Sequence, residues 1–407
     1  MARRGNRPLE GLRVLELTLV GPGAFTTMML GDMGADVVKI EAPLKIRQAT
    51  TGSSPQATDT HRRATSYFNR GKRSVTLNLK SRDGRQIMQR MIASADILVE
   101  GFRPGVMARL GLSYASTRRR NPRLIYASLS GYGQDGPYKE LPGHDLNYLA
   151  MSGALGLMGA PSGSYPIPLN LVADYGGAAL HGAAGILLAL VSRQNTGRGQ
   201  RVDISYLDSS LAILAATPQV SHYLTGGTEP KRGTGIFCGG YAYYGVYDTS
   251  HGGPLTVACI EPHLWHKCCD AIGRPHLKAL ELQAKDFYSK PGPSHRRARS
   301  ELQALFKSRS RPEWIEELST AGVCVAPVNT VRDALREPQL RHRGMISDVA
   351  DPDIGQYMRV GVAIKLSETP GRPGAWAPFR GQHTDEVLRN LNVTQEEVEQ
   401  LRQRGVV

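Results

Sequence analysis

The sequence predicts an α/β protein built on a parallel sheet, and three observations support this fold class. Strand-like and helix-like segments alternate over the first 130 residues, as in proteins whose parallel strands are joined by crossover helices. The chain has 407 residues, enough for two domains and a large core. Hydrophobic residues make up 41% and charged residues 21% of the chain, a composition that excludes a mostly disordered protein.

The alternation begins with a strand, a turn, a helix and a second strand. Residues 12–17 are predicted to form the first strand, and Gly21-Pro22-Gly23 the turn. A helix follows over 24–32, and a strand over 36–41. After a polar loop over 44–66, we predict further strands at 74–79, 95–100 and 124–130 and an amphipathic helix at 82–93.

The second half of the chain has a different composition. Residues 146–191 are small and apolar, which predicts closely packed helices in a core or at a subunit interface. A turn over 193–200 leads into a strand at 201–205. The remaining predicted elements are a hairpin over 241–260, helices at 263–272, 297–307 and 312–320, and a strand at 323–329.

A composition shift at 225–231 predicts a linker. We therefore expect a large domain over 1–225, a small α/β domain over 226–330, and a return over 331–407 that completes the large domain.

Charge and cysteine content limit the class of protein. The net charge is +14, but the basic runs at 118–120 and 296–299 lack interleaved aromatic residues, which favours solvated faces over nucleic-acid contact. Five cysteines without a CxxC spacing favour a reduced, cytoplasmic protein. No apolar stretch follows the basic N-terminal residues, so we expect no secretory signal. The longest apolar stretch of the chain, 183–191, is too short to span a bilayer, so we expect no membrane anchor.

Three short segments each hold an ionisable side chain beside turn-forming residues. His144 follows Pro142-Gly143, Asp174 precedes Tyr175-Gly176-Gly177, and Glu261 precedes Pro262. Imidazole and carboxylate groups move protons near neutral pH, and glycine lets a substrate approach closely. Taken singly, each residue is more often a turn or capping residue. The three together favour acid/base chemistry, with each group held by a local turn, and no ligand spacing predicts a metal site.

Two further patterns are open to more than one interpretation. Gly21-Pro22-Gly23 resembles a dinucleotide fingerprint, but Thr26 replaces its third glycine, so a tight strand-to-helix turn is favoured over NAD binding. Several cations follow predicted strands, where phosphates bind in open α/β sheets, and Phe102 is a candidate cover for an adenine ring. It is equally consistent with the sequence that these cations are ordinary surface charges. The cations are Arg70, Lys72, Arg73, Lys80, Arg103 and Arg109.

The motifs taken together resemble the family III CoA transferases from about residue 9 to the C terminus. Within that superfamily they are most similar to the racemases of α-methylacyl-CoA thioesters. The motifs that carry the resemblance are GADVVKIE at 34–41, RGKRS at 70–74, EGFRPG at 100–105, GHDLNY at 143–148, PLNLVADYGG at 168–177 and TGRGQ at 196–200.

The resemblance implies a large Rossmann-like parallel-sheet domain and a smaller α/β domain, in a homodimer whose ring-like chains interlock. It implies an acyl-CoA substrate and no permanently bound cofactor. His144 and Asp174 match the racemase acid/base pair, Glu261 matches the residue that supports the histidine across the dimer interface, and Asn170 matches a further active-site position. The positions expected to contact coenzyme A are Lys80, Glu100, Phe102, Arg103 and Arg109.

Two departures from the racemase pattern leave the reaction open. The chain has IFCGGYA at 236–242 where the racemases have a Met-Leu-Asp-Gly-Gly-Ala-Pro stretch, and the loop over 44–70 is long, as in many transferases. A racemase needs a base on each face of the α-carbon, whereas a transferase needs only the Asp174 nucleophile. The presence of all three ionisable groups favours the racemase. The transferase remains the alternative, ahead of a non-catalytic CoA-binding protein.

Overall fold

The computed structural model describes residues 7–19, 21–43, 66–352 and 355–407, so most of the predicted polar loop over 44–66 lies outside the described residues. The chain divides into two compact units. The first comprises Met1–Tyr148, Leu169–Ser210 and Glu337–Val407, and the second comprises Leu149–Pro168 and Leu211–Arg336. The predicted domain bounds at 225 and 330 stay a prediction.

The first unit contains a six-stranded sheet, and all of its strand pairs are parallel. The strand order β3-β2-β1-β4-β5-β6 is that of a Rossmann-type sheet, which places the reversal of strand order between β1 and β4. The predicted α/β class with a parallel sheet is confirmed. The strands are β1 Arg13–Leu17, β2 Asp36–Glu41, β3 Arg73–Thr76, β4 Ile97–Glu100, β5 Ile125–Ser130 and β6 Arg201–Ser205.

Both faces of this sheet are buried, as expected for parallel strands covered by helices. Val14 and Val37 belong to the hydrophobic cluster on one face, and Leu15 and Val38 to the cluster on the other. Because side chains alternate along a strand, the near-continuous apolar runs of the sequence fill both clusters. The C-terminal helices add to the second of these clusters, with Val387, Leu388, Val398 and Leu401.

Three helices of the first unit, Pro22–Asp32, Arg82–Ala93 and Leu180–Thr196, lie where the sequence predicts helix. The unpredicted helices are Val106–Arg109, Tyr114–Arg120, Pro338–His342, Thr384–Arg389 and Gln395–Gln403. The predicted turn over 193–200 is wrong at its start, because the helix continues to Thr196 and Arg193 is buried against Asp96. The helices within this unit are Pro22–Asp32, Arg82–Ala93, Val106–Arg109, Tyr114–Arg120, Leu180–Thr196, Pro338–His342, Thr384–Arg389 and Gln395–Gln403, with a π-helix at Leu171–Ala179 and a 3-10 turn at Tyr67–Asn69.

The turn after β1 depends on its glycines. Gly21 has a φ of 78°, in the left-handed region that favours glycine, and Pro22 then begins the helix, where its missing N–H costs nothing. A Cβ on Gly23 would lie 2.5 Å from Cγ2 of Thr18. Thr26, at the third fingerprint position, donates its hydroxyl to the carbonyl oxygens of Pro22 and Ala179. The favoured interpretation, a tight strand-to-helix turn, agrees with this geometry.

Beneath this turn lies a buried charge network. The Glu16 side chain, on β1, is fully buried and accepts hydrogen bonds from Lys39 and Lys72 at 2.6 and 2.7 Å. The hydroxyls of Thr18 and Thr27 donate to the same carboxylate, each at 2.6 Å. Lys72 also donates to the carbonyl oxygen of Ala24, in the helix that follows the turn. The network therefore joins β1, β2 and the residue just before β3 to the first helix.

The second unit has its own sheet and its own core. Strands β7 Tyr244–Tyr247 and β8 Leu255–Ala258 form the predicted hairpin, and β9 Val325–Pro327 pairs antiparallel with β8. Trp265, Phe306 and Trp314 are large buried side chains of its core. Its helices are Ala154–Leu157, Pro218–Leu224, Pro262–Ala271, Pro293–Phe306, Arg311–Thr320 and Val331–Ala334, with 3-10 turns at Ile236–Cys238, Pro275–Leu280 and Ala284–Phe287.

Some elements fall outside these groups. Helices Asp145–Met151 and Tyr206–Ala215 contain residues of both units. In the first unit an antiparallel pair, β10 Ile346–Asp351 and β11 Gly355–Val360, was not predicted from the sequence. One helical run among the described residues, Leu171–Thr196, is long and apolar enough in composition to cross a membrane, with 44% of its most apolar window buried.

Candidate active site

His144 and Asp174 both belong to the first unit. His144 is exposed and directly precedes the helix Asp145–Met151, while Asp174 is half-buried in the π-helix Leu171–Ala179. The backbone N–H of His144 donates to Oδ1 of Asn147 at 3.0 Å, which fixes the start of its helix. Both candidate groups are thus carried at or near helix starts rather than on free loops.

The side chain of Asp145 joins these two segments. Its Oδ2 atom accepts the backbone N–H groups of Ala173 at 2.8 Å and Asp174 at 2.9 Å. Asp145 is only 4% exposed. Since Asp145 is the neighbour of His144, one buried carboxylate holds together the two stretches of backbone that carry the candidate acid and base.

The segment around Asp174 is a π-helix and not the predicted turn, which corrects that expectation. π-Helical turns are rare and occur often at functional sites. Leu169, just before this helix, has a φ of 56°, a strained value for a residue with a Cβ. The side-chain amide of Asn170 donates to Oδ2 of Asp174 at 3.4 Å, so Asn170 and Asp174 lie together as predicted for one site.

The surroundings of Asp174 favour its protonated form. Burial raises the pKa of its carboxyl group, and the hydrogen bond from Asn170 partly opposes this rise. The negative charge of Asp145 raises the pKa further, whereas a positive charge on His144 lowers it. A carboxyl group with a raised pKa both accepts and returns a proton more readily near neutral pH.

Two tyrosines interact electrostatically with this carboxyl group, since, besides burial, its charge raises the pKa of both Tyr148 and Tyr206. Tyr148 packs edge-on against Tyr132 at 5.2 Å and against Tyr206 at 5.3 Å between ring centroids. A Cβ on Gly143 would lie 2.8 Å from the Tyr148 ring, so the glycine before His144 makes room for this ring. Burial raises the pKa of Tyr148 and of Tyr206, and both phenols therefore stay neutral through the physiological range.

A second aromatic group lies beside Asp174. Phe25, Phe68 and Tyr175 contact one another, with ring centroids 5.4 to 5.9 Å apart. Phe25 belongs to the helix after the glycine turn, and Phe68 follows the long loop. Tyr175, the residue after Asp174, connects this aromatic cluster to the π-helix that carries the carboxyl group.

A cavity of about 270 Å³ at the carboxyl end of β4 contains two of the predicted CoA-binding residues, Glu100 and Arg103. Glu100 is buried, accepts the backbone N–H of Phe102 at 2.9 Å, and has a pKa raised by burial. The Phe102 ring is half-buried and packs against the core. Lys80 and Arg109 are exposed and do not line this cavity, so the structure brings together only part of the predicted set.

Glu261 belongs to the second unit. It is exposed and forms the N-cap of helix Pro262–Ala271, where its side chain makes no capping hydrogen bond. Its carbonyl oxygen accepts the N–H groups of Leu264 and Trp265. The local turn predicted at this position is present.

Sequence reasoning missed two features of the site. Asp145 lies in the GHDLNY motif at 143–148, and an acid directly after a histidine at a predicted helix start is the sequence signal for it. The rings of Phe25, Phe68 and Tyr175 come together from three separate segments, so no local sequence pattern predicts this cluster. Among the described residues no group of three or more His, Cys, Asp or Glu side chains lies close enough to hold a metal ion.

Comparison with known proteins places this geometry in a family. A family profile described as CoA-transferase family III matches residues 9–384. Alpha-methylacyl-CoA racemase of Mus musculus is 36% identical over 98% of this chain and 97% of its own length. Formyl-CoA:oxalate CoA-transferase of Streptomyces avermitilis is 31% identical over 98% of this chain and 100% of its own.

A solved structure agrees with these sequence matches. The crystal structure of a CAIB/BAIF family protein from Brucella suis superimposes with a TM-score of 0.76 and 29% identity, covering 95% of this chain and all of that one. The relatives named above are racemases and CoA-transferases, and both are enzymes. The family predicted from the sequence motifs is therefore confirmed, and the chain belongs to CoA-transferase family III.

Proposed function

We propose that this enzyme racemises the α-carbon of a 2-methylacyl-CoA thioester, with His144 and Asp174 as the two acid/base groups. The observation that carries the proposal is the link through Asp145, whose carboxylate ties the His144 segment to the backbone of Asp174. The similarity to alpha-methylacyl-CoA racemase over nearly the whole chain supports the same reaction.

Racemisation requires removal of the α-proton from one face and its return to the other. Neutral His144 and ionised Asp174 are each able to accept this proton, and their conjugate acids are able to return it. The raised pKa of Asp174 supports this role, because an aspartate with an ordinary pKa is a poor proton donor near neutral pH. Asn170 holds the Asp174 carboxylate in place through its side-chain amide.

The enolate oxygen formed in this reaction needs hydrogen-bond donors. The Asp174-Tyr175-Gly176-Gly177 segment carries candidate backbone donors for this oxygen. The N–H of Asp174 is not available for this task, because it is already donated to Asp145.

For coenzyme A we propose the carboxyl ends of the strands, with contacts from Lys80, Glu100, Phe102, Arg103 and Arg109. The cavity lined by Glu100 and Arg103 supports this assignment, because guanidinium groups at that edge of a parallel sheet suit phosphate oxygens. Arg201 adds a second cation to the same cavity. The coenzyme enters as part of the substrate, and no permanently bound cofactor is needed for proton transfer.

We further propose a cytoplasmic homodimer in which Glu261 of the partner subunit supports His144. The helix Leu180–Thr196 exposes a row of apolar side chains, which are Leu180, Leu187, Leu188 and Val191. An exposed apolar stripe of this kind is typical of a protein interface. The five free cysteines fit a reducing compartment.

The alternative function is CoA transfer between carboxylic acids, in which Asp174 carries the acyl group as a nucleophile. The similarity to formyl-CoA:oxalate CoA-transferase favours it. In that reaction the carboxylate attacks the thioester carbonyl, the C–S bond breaks, and the CoA thiolate leaves as an anhydride forms between Asp174 and the acyl group. His144 has no required role in this step.

The His144→Ala variant separates the two reactions. In a racemase the loss of one base blocks proton delivery on one face, so racemisation should fall by roughly 10²-fold or more. Racemisation is measured as inversion at the α-carbon of a 2-methylacyl-CoA in deuterated water, where inversion places deuterium at that position. A transferase would retain most of its CoA exchange between an acyl-CoA and a free acid in this variant.

The matched control is His276→Ala. His276 is also exposed, but it lies in the second unit and pairs with Glu301. Its loss should leave deuterium incorporation unchanged. CoA exchange that survives in His144→Ala, with no deuterium incorporation by the unmodified enzyme, would establish the transferase instead.

A further inference from the structure

Asp145 has an unusual environment for a carboxylate. Its Oδ2 atom accepts two backbone N–H groups that lie 28 and 29 residues further along the chain. Its other oxygen, Oδ1, is buried and has no hydrogen-bond partner in the described structure. Because a buried polar atom without a partner costs free energy, a residue that leaves one there calls for a physical explanation.

Capping alone does not explain an aspartate at this position. The two N–H groups belong to Ala173 and Asp174, near the start of the π-helix. An asparagine has the same shape, and its side-chain oxygen accepts the same backbone donors without a negative charge. What only the aspartate adds is a negative charge next to the Asp174 carboxylate.

We propose that Asp145 is a positioning residue with two tasks: it fixes the backbone of Asp174 relative to His144, and its charge keeps Asp174 ready to accept a proton. The proposal rests on the proposed function in one respect, since it treats Asp174 as an acid and base. Asp145 itself touches no reacting atom in this scheme.

The first task follows from the covalent arrangement. Asp145 is adjacent to His144, and its bonds reach the N–H of Asp174 itself. A shift of the π-helix start would move the Asp174 carboxylate relative to the imidazole. A displacement of about 1 Å between reacting groups is enough to lower a rate by roughly 10²-fold.

The second task follows from like-charge repulsion. A negative charge on Asp145 disfavours a second negative charge on Asp174, so protonated Asp174 is stabilised. This charge is one of the causes of the raised pKa of Asp174, after burial and against the Asn170 hydrogen bond. Paired carboxylates that differ in environment commonly divide the roles of acid and base in this way.

Apart from Asp145, the described titratable groups that interact with Asp174 are His144, Tyr148, Tyr175 and Tyr206. Burial raises the pKa of each of these three tyrosines, so the tyrosines stay neutral in an acidic titration. Arg103, which acts on Tyr148, keeps a constant charge. In a His144→Ala background the imidazole makes no contribution to the Asp174 midpoint.

The test compares Asp145→Asn with Asp145→Ala. Asparagine preserves the acceptor oxygen and removes the charge, whereas alanine removes both. The Asp174 carboxyl is titrated by carbon-13 NMR in the ligand-free enzyme, with its signal assigned from Asp174→Asn. In Asp145→Asn we expect its midpoint to fall by roughly one pH unit, the scale of one neighbouring charge. The acidic limb of the kcat profile should move with it, and the KM for acyl-CoA should change little.

In Asp145→Ala we expect the same fall in midpoint, together with faster amide hydrogen exchange over residues 170–179 and a kcat lower by roughly 10²-fold. An unmoved Asp174 midpoint in folded Asp145→Asn would overturn the charge role, and unchanged exchange in Asp145→Ala would overturn the tether. The carboxyl titration and the amide exchange need no substrate. These two measurements therefore test the role of Asp145 even if the enzyme proves to be a transferase.

Asp286→Asn is the matched control. Asp286 is also a buried aspartate, and its carboxylate accepts the Gln283 N–H at 2.9 Å and the Tyr243 hydroxyl at 3.0 Å, in the second unit. Its replacement should lower overall stability and leave the Asp174 midpoint unchanged. A shift of equal size in this control would show that general loosening moves the midpoint, and would refute a specific role for Asp145.

Discussion

Replacement of Glu16 by glutamine should destabilise the first unit strongly. The Glu16 carboxylate is fully buried and receives four hydrogen bonds, two of them from Lys39 and Lys72. The lysine side chains are 5% and 0% exposed. Without the glutamate charge, two ammonium groups remain buried with carbonyl and hydroxyl acceptors only. One oxygen becomes an NH₂ group that faces donors.

The free energy of unfolding should fall by about 3–5 kcal/mol, the usual effect of removing one partner from a buried ion pair. This is a large part of the roughly 5–15 kcal/mol that stabilises a typical domain. The measurement is urea unfolding at pH 7 followed by circular dichroism. Glu386→Gln is the control, because Glu386 pairs with Arg73 but is 53% exposed, and its loss should cost below about 1 kcal/mol.

The same network predicts the pH dependence of stability. Burial alone would raise the pKa of Glu16, but the charges of Lys39 and Lys72 outweigh it and lower the pKa from 4.5 to about 2. A carboxyl group with a lowered folded pKa contributes stability that is complete above pH 4.5 and is lost as the pH falls toward 2. The Glu16→Gln variant should lack this share of acid sensitivity. A loss below about 1 kcal/mol at pH 7, or an unchanged acid slope, would refute the reasoning.

Two further predictions concern the substrate and the assembly. Arg103→Ala should raise the KM for acyl-CoA about ten- to hundredfold, the worth of one charged hydrogen bond, with a smaller change in kcat. The KM should also rise with salt in the unmodified enzyme, and an unchanged KM for Arg103→Ala at low salt would contradict this site. Leu188 is 71% exposed on the helix Leu180–Thr196, so Leu188→Glu should weaken the proposed dimer in analytical ultracentrifugation. If the chains interlock, dissociation and unfolding of the unmodified protein should coincide in denaturant, and a folded monomer at low concentration would disprove the interlocked dimer.

The sequence by itself determined the parallel sheet and the family. Apolar residues such as Val14, Leu15 and the run Ile97–Val99 fill both faces of the sheet, and this local pattern is readable without a structure. The strand-turn-helix start at Gly21-Pro22-Gly23 is equally local, because it depends on one glycine in the left-handed region and one proline at a helix start. The motifs around His144 and Asp174 identified the family in the same way.

Only the tertiary structure decided how the site is held together. The link from Asp145 to Ala173 and Asp174 crosses 28 residues, and nothing in either segment encodes its partner. The π-helix at Leu171–Ala179 was predicted as a turn, because its start depends on acceptors supplied by another part of the chain. The Glu16, Lys39 and Lys72 network likewise brings together three segments that are distant in the sequence. Hydrogen bonds and charges between distant segments depend on packing, and packing has no local sequence pattern.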